Sequence, residues 1–181
     1  MNRLPDIETD FEIDKLTNSI ENTITGEVFD TEVTRLYSNE TKQIRKSDWV
    51  FNWRREFNDP VNEIYKLTTI NNPTIIHGLI CIIVKSDHIF MSLIENAKFN
   101  KGKLKLYKGV AGNLVAYACK VAFEHGYGGV VSFIAKSKLI EHYQSTIGAK
   151  HFGGNNRMFI DTKESLALVK LYFKNFNDGK L

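Results

Sequence analysis

The chain has 181 residues, of which 43% are hydrophobic and 25% charged, and its formal net charge is +3. These values are typical of a soluble globular domain and exclude a disordered chain. No apolar run reaches the roughly 18–20 residues of a membrane span, and the first residues lack the basic start and apolar middle of a secretion signal. We therefore expect one cytoplasmic domain over residues 1–181, with no membrane partner.

The first forty residues are predicted to hold a tail and a hairpin. Residues 1–15 are acidic and irregular, which is typical of a segment with little order at its start. Beyond them, β-branched residues flank the pair Thr25-Gly26, a plausible tight turn. This pattern predicts an antiparallel hairpin that supplies an edge of the sheet.

The stretch 42–58 is predicted to hold one helix, for which Ser47-Asp48 offers an N-cap. Apolar and aromatic residues recur in it at helical spacing, and the ring of Pro60 would end the helix. Trp49 and Trp53 on this helix are either core residues, which is the common case, or the lining of a substrate cavity.

Three strand-like runs follow, and turn residues separate them, which predicts an antiparallel meander. The second run is apolar almost throughout and should be central in the sheet. The sequence thus predicts an α/β (α+β) fold with a mixed, mostly antiparallel central sheet flanked by helices. The predicted strands are 63–70, 75–84, 88–94, 130–135 and 158–161, and a closing helix spans 164–176.

A glycine-rich turn over 107–113 precedes the most regular helical pattern of the chain. Leu114, Ala118 and Val121 form one apolar stripe, and the helix should stop at Gly126 because three nearby glycines can adopt positive φ angles. The turn would let a phosphate reach the unpaired N–H groups at the helix start. A tight connection packed on a neighbouring strand is the plain alternative.

Lysines crowd the approach to this turn. They are consistent with a solvated loop or with attraction of a polyanionic cofactor to a neighbouring cleft. The net charge of +3 is too small to indicate nucleic acid, so the charge balance argues against such a partner. The lysines are Lys98, Lys101, Lys103, Lys105 and Lys108.

Cysteine and histidine positions predict no metal site. Cys81 and Cys119 lie in apolar segments and are expected to be small buried hydrophobes. His77, His88 and His151 have no metal-ligand spacing to them or to the acids. The sequence also lacks a serine nucleophile elbow and a phosphate-binding loop of the nucleoside triphosphatase kind.

The residues Tyr107-Lys-Gly-Val-Ala-Gly resemble the pyrophosphate-binding turn of the GNAT acyl-CoA N-acyltransferases, in which Arg or Gln precedes x-x-Gly-x-Gly or Ala. Gly112 stands at the last glycine of that pattern. The stretch 139–148 resembles the later helix of the family, which carries a tyrosine shortly before a glycine. The resemblance implies a GNAT-like core over 60–162, with a closing helix within 163–181.

The resemblance also implies acetyl-CoA or CoA as the co-substrate and no metal. In this fold the strands that end near Ile94 and Ala135 splay apart, and the pantetheine arm lies between them. Acyl transfer would then proceed by direct attack of a small-molecule or peptide amine in a ternary complex. The predicted cofactor contacts are Ile94, Lys108, Gly109, Val110, Ala111, Gly112 and Asn113.

Two residues are candidates for proton transfer. Glu95 ends an apolar strand at the predicted slot, where partial desolvation would raise the pKa of its carboxyl and suit a general base. Tyr143 matches the tyrosine with which the family protonates the departing thiolate. Asn96, Trp49 and Trp53 are candidate substrate contacts. A solvated glutamate and a half-buried helix tyrosine are the plain alternatives.

A rival hypothesis is a GNAT-fold protein that binds a ligand or partner without catalysis. Tyr107 and Val110 depart from the family pattern, and Tyr143 lies five residues before Gly148 where the family usually has four. Because fold does not fix function, both hypotheses stand. Contact with nucleic acid through the lysines ranks last. The sequence leaves the acceptor and the oligomeric state open, and it is compatible with a homo-oligomer.

Overall fold

The computed structural model describes residues 8–177, and its strands form one nine-stranded sheet. The strands are β1 (Ser19–Asn22), β2 (Val28–Leu36), β3 (Asn62–Thr69), β4 (Gly78–Val84), β5 (Ile89–Asn96), β6 (Tyr107–Lys108), β7 (Val131–Ile134), β8 (Lys150–His151) and β9 (Arg157–Ile160). Their order is β6-β1-β2-β3-β4-β5-β7-β9-β8, and only β5 and β7 pair in parallel. The predicted hairpin, meander and mostly antiparallel sheet are confirmed.

The helices are α1 (Trp53–Glu56), α2 (Val110–Glu124), α3 (Ile140–Ile147) and α4 (Thr162–Tyr172). Gly109 is the N-cap of α2 with φ +93°, a conformation that favours glycine. The predicted closing helix over 164–176 is shifted: α4 begins at Thr162, after its Asp161 cap, and ends at Tyr172. Residues 178–181, the end of the segment 163–181 that was assigned to this helix, lie outside the described residues.

Strand β4 is apolar on both faces because a separate layer covers each face. Ile80 and Ile82 lie in the cluster packed around α2, whereas Leu79 and Cys81 lie in a second cluster on the opposite face. Side chains alternate between the two faces of a strand, so each cluster takes every second residue. The continuous apolar run of β4 therefore reflects burial on both sides.

The second cluster lies beneath the stretch 42–58, and the prediction of one helix there is wrong. The stretch contains parts of two short 3-10 turns, Ser38–Gln43 and Lys46–Asp48, and the single turn α1. The backbone N–H groups of Val50 and Phe51 donate to the carboxylate of Glu95, at 2.8 and 3.3 Å. A distant carboxylate has therefore replaced the carbonyl acceptors that a continuous helix would use.

Candidate functional site

A slot opens where β5 and β7 separate. The two strands pair over only two residues each, and beyond these they diverge toward Ile94 and Ala135, as predicted. Ser92 adds a bulge to β5 opposite β4, where the register shifts between Cys81 and Ile82. A bulge bends its strand, which contributes to the divergence.

Residues 9–17, the slot segment, fill this slot. The N–H of Thr9 donates to the carbonyl of Ile134 at 2.6 Å, and the N–H of Lys136 donates to the carbonyl of Thr9 at 3.1 Å. Thr9 thereby forms a parallel bridge with Ala135 at the end of β7. Apart from this bridge, residues 9–17 form no helix or strand, so the predicted irregular stretch is confirmed there. The poor order predicted at its start falls on residues 1–7, which lie outside the described residues.

Two apolar side chains anchor the slot segment. Phe11 and Ile13 are 5% and 7% exposed, and the Phe11 ring lies 4.7 Å from that of Tyr143 between ring centres. The Tyr143 hydroxyl donates to the carbonyl of Phe11 at 2.7 Å, and the N–H of Ile13 donates to Nε2 of His142 at 2.9 Å. Burial raises the pKa of Tyr143 above its usual range.

An acidic side chain of the slot segment meets the start of α2. The N–H of Gly109 donates to Oδ1 of Asp14 at 2.8 Å, and Lys105 donates to Oδ2 of the same carboxylate at 2.7 Å. The carboxylate thus occupies the kind of anion position that the first N–H groups of a helix create. The Lys15 carbonyl lies 2.9 Å from the point where a Cβ on Gly112 would stand.

The rest of the predicted cofactor turn is largely buried. Val110, Ala111 and Asn113 are at most 5% exposed. The Asn113 side-chain amide donates to the carbonyls of Gly109 and Ser19 at 2.8 and 3.2 Å.

Several of the clustered lysines are paired with the protein's own carboxylates. Lys101 binds Glu95 at 2.7 Å, Lys105 binds Asp14 at 2.7 Å, and Lys108 binds Glu21 at 2.9 Å. Their charge is therefore partly neutralised before any ligand arrives, which reduces the attraction that an unpaired cluster would exert.

Glu95 is held by four donors. Its side chain is 1% exposed and accepts from the N–H groups of Val50 and Phe51, from Nε1 of Trp53 at 2.7 Å and from Nζ of Lys101. A carboxylate this fully hydrogen-bonded fixes the covering stretch to the end of β5. The geometry favours this anchoring role over the predicted general base.

The two tryptophans are core residues in the described fold. Trp49 and Trp53 are 4% and 1% exposed, and their rings lie edge to face within the second cluster. Of the predicted substrate contacts, Asn96 alone lines the cavity described next.

A cavity of about 220 Å³ lies between the slot segment and the end of β5. Asn96 and Asn100 line it, with Asp10, Glu12 and Asp14 of the slot segment on the other side. Among residues 8–177, the side-chain carbonyl oxygens of Asn96 and Asn100 are buried with no hydrogen-bond partner. Buried acceptors of this kind suit a donor on a bound group.

Sequence reasoning missed the slot segment, Asn100 and the anchoring of Glu95. One signal was available, because Asp10-Phe-Glu-Ile-Asp14 alternates acidic and apolar residues with the period of a strand. No sequence signal connects Asn100 with the cavity.

No protein-family model matches the sequence, and a search of curated proteins found no significant match. Solved structures do match in fold. An AtaT–AtaR complex bound to DNA aligns with a TM-score of 0.57 and 17% identity, over 76% of this chain and 98% of that one. An AtaTR structure with acetyl-CoA aligns with a TM-score of 0.57 and 16% identity, over 77% and 98%. AtaT with acetyl-methionyl-tRNAfMet aligns with a TM-score of 0.54 and 15% identity, over 77% of this chain and 99% of that one.

These proteins are GNAT-fold acetyltransferases, and the chain therefore has the fold of that superfamily. The expectation that argued against nucleic-acid partners is wrong. Proteins of this same fold are solved with DNA and with a transfer RNA, so a modest net charge does not exclude such partners.

Two further properties follow from the described part of the chain. Among residues 8–177, no helix has the length and apolar character to cross a membrane. Within the same residues, no group of three or more His, Cys, Asp or Glu side chains could hold a metal ion.

Proposed function

We propose that this protein is an acyl-CoA-dependent N-acyltransferase that transfers acetyl from acetyl-CoA to an amine. The observation that carries the proposal is the slot between β5 and β7, which leads from the start of α2 to Tyr143 and the end of β5. Without the slot segment, this space would offer an anion position at the Gly109 N–H, the apolar walls that now hold Phe11 and Ile13, and the Tyr143 hydroxyl.

The chemistry would need little from the side chains. Backbone N–H groups between Ile94 and Asn96 would hold the thioester carbonyl polarised, and Tyr143 would protonate the departing thiolate once its hydroxyl is released from Phe11. The proton that the attacking amine loses would pass to the resulting Tyr143 phenolate and restore the phenol. Burial raises the pKa of the Cys81 and Cys119 thiols to about 12, which leaves them protonated and poor nucleophiles. Direct attack by the amine in a ternary complex is therefore proposed over an acyl-enzyme.

The cavity at the end of β5 supports an amine acceptor. The Asn96 and Asn100 carbonyl oxygens and the Asp10 and Glu12 carboxylates are acceptors, which suit the N–H donors of an ammonium group. AtaT, with the same fold, is solved with acetyl-methionyl-tRNAfMet. A panel of acceptors should therefore include aminoacyl-tRNA as well as small amines and peptides.

Calorimetric titration of the full chain with acetyl-CoA and with CoA tests the proposal. We expect binding of both, followed by release of free thiol when an acceptor from the panel is added. Absence of binding at high micromolar concentration, by the chain and by variants that loosen the slot segment, would overturn the proposal.

A non-catalytic binding protein is the second candidate. The observation that favours it is the slot segment itself, which buries Phe11 and Ile13 where an acyl-CoA arm would lie. This candidate predicts that CoA binds to no form of the protein, or that it binds with no turnover of any acceptor. The loosened variant described below, assayed for both CoA binding and turnover of the acceptor panel, distinguishes the two candidates.

A further inference from the structure

We infer that the slot segment is a displaceable internal competitor of acyl-CoA, so that this form of the protein is autoinhibited. The inference rests on the proposed function. It goes beyond that function because it assigns a regulatory role to residues 9–17. These residues occupy the anion position, the apolar space and the hydroxyl that the cofactor would need.

The first feature is the anion position at the start of α2. The Gly109 N–H donates to Asp14, whose other carboxylate oxygen accepts from Lys105. A carboxylate on a helix-start N–H, backed by a lysine, has the chemistry of one diphosphate oxygen. Asp14 and a cofactor diphosphate cannot both occupy this position.

The second feature is the apolar channel. Phe11 and Ile13 point inward and are almost fully buried, whereas Glu12 between them is exposed. The segment also bridges to Ala135 at the end of β7, as an added strand would. An extended pantetheine arm would need the same space.

The third feature is the Tyr143 hydroxyl, which is engaged by the Phe11 carbonyl at 2.7 Å. A phenol that donates to this carbonyl cannot protonate a thiolate at the same time. When the segment fills the slot, Tyr143 therefore cannot act as the proposed acid.

The segment competes with CoA from within the same molecule. It lies upstream of β1 and is tethered to the slot by the chain, so it competes at a high effective concentration. The apparent affinity for CoA then falls by the fraction of molecules in which the slot is open. A change that closes or opens the slot should alter CoA affinity without touching the cofactor contacts.

A reversible lock tests the inference in the full chain. Thr9→Cys with Ala135→Cys places two thiols at the bridged pair, where a disulfide would fix the segment in the slot. We expect the oxidised form to bind CoA at least tenfold more weakly than the same protein after reduction. Equal binding by the two forms would overturn the inference and leave the proposed function in place.

A loosened variant provides the opposite test. Phe11→Ala with Asp14→Ala removes one apolar anchor and the anion, and we expect CoA to bind at least tenfold more tightly than to the wild-type chain. Glu27→Ala is the control, because it removes an exposed acid in the turn between β1 and β2, outside the slot and the cavity, and should leave CoA affinity unchanged.

Hydrogen exchange gives a readout that does not depend on turnover. Saturating CoA should speed the exchange of the Thr9 and Ile13 amides, which are bonded to Ile134 and His142 in the closed form. Unchanged exchange at saturation would show that CoA binds elsewhere and would overturn the inference alone. If no form binds CoA, the reduced lock and the loosened variant included, the proposed function fails and the inference fails with it.

Discussion

The hydroxyl of Tyr143 donates a hydrogen bond to the main-chain carbonyl of Phe11, which lies 132 residues earlier in the chain. This bond links α3 to the slot segment within a cluster that also contains the ring of Phe133. Tyr143, the proposed acid of the acyl transfer, therefore also holds in place the segment that would block that transfer.

Tyr143→Phe should loosen the slot segment while keeping the aromatic packing. Removal of the hydroxyl leaves the Phe11 carbonyl without this donor, at a cost of about 1–2 kcal/mol in the free energy of unfolding. We expect faster hydrogen exchange at Ile13 and weakened turnover, with CoA binding equal to or tighter than that of the wild type. Slower exchange at Ile13 would contradict the assignment of this bond.

Glu95→Gln should destabilise the protein rather than remove a catalytic base. An amide offers one acceptor oxygen and turns an NH₂ group toward donors, so we expect a loss of about 3 kcal/mol in the free energy of unfolding. Urea denaturation measures it, with Glu32→Gln as a control because Glu32 is exposed on β2. An unchanged free energy of unfolding together with abolished turnover would instead support the general-base prediction.

Gly109→Ala and Gly126→Ala separate backbone strain from steric contact. Both glycines have positive φ, +93° and +76°, so each alanine carries a strain of about 1 kcal/mol or more. A Cβ on Gly109 would also stand 2.8 Å from the Ser19 carbonyl, whereas one on Gly126 meets nothing within 4 Å. Gly109→Ala should therefore lower the midpoint of denaturation clearly further, and equal midpoints would refute this placement of β1.

His77 should make stability fall in mild acid. Burial lowers the pKa of its ring to about 4 in the folded state, against an ordinary value of 6.5. Above pH 6.5 the ring is neutral in both states. As the pH falls toward 4 the unfolded chain binds a proton that the folded protein does not, so stability falls by up to about 3 kcal/mol.

The measurement for His77 is the free energy of unfolding at several pH values between 7 and 4. His77→Gln should flatten this dependence. His125→Gln should leave it as in the wild type, because His125 is exposed in the folded state. A profile for His77→Gln that matches the wild type would show that other groups control the acid response.

The sequence predicts those parts of the fold in which apolar residues recur at regular spacing over a short stretch. Leu114, Ala118 and Val121 define the buried face of α2, and the β3–β4–β5 meander follows from apolar runs separated by turn residues. In such segments the local pattern and the tertiary burial agree, so pattern reasoning succeeds.

The parts that were missed depend on partners far along the chain. The stretch 42–58 has helical spacing, but Glu95 supplies the acceptors that break the helix at Val50 and Phe51. The slot segment alternates correctly for a strand, yet its partner Ala135 lies more than a hundred residues away. Short patterns cannot reveal which distant group will satisfy them.

The tryptophans and the cysteines allow the two faces of the sheet to be followed separately during unfolding. Both tryptophans of the chain lie in the cluster that also holds Cys81, whereas Cys119 lies on the buried side of α2, in the cluster on the opposite face of the sheet. Tryptophan fluorescence therefore follows the loosening of one face only. The reaction of Cys119 with a thiol reagent follows the other, so labelling and fluorescence together would show whether the two layers melt as one unit or in sequence.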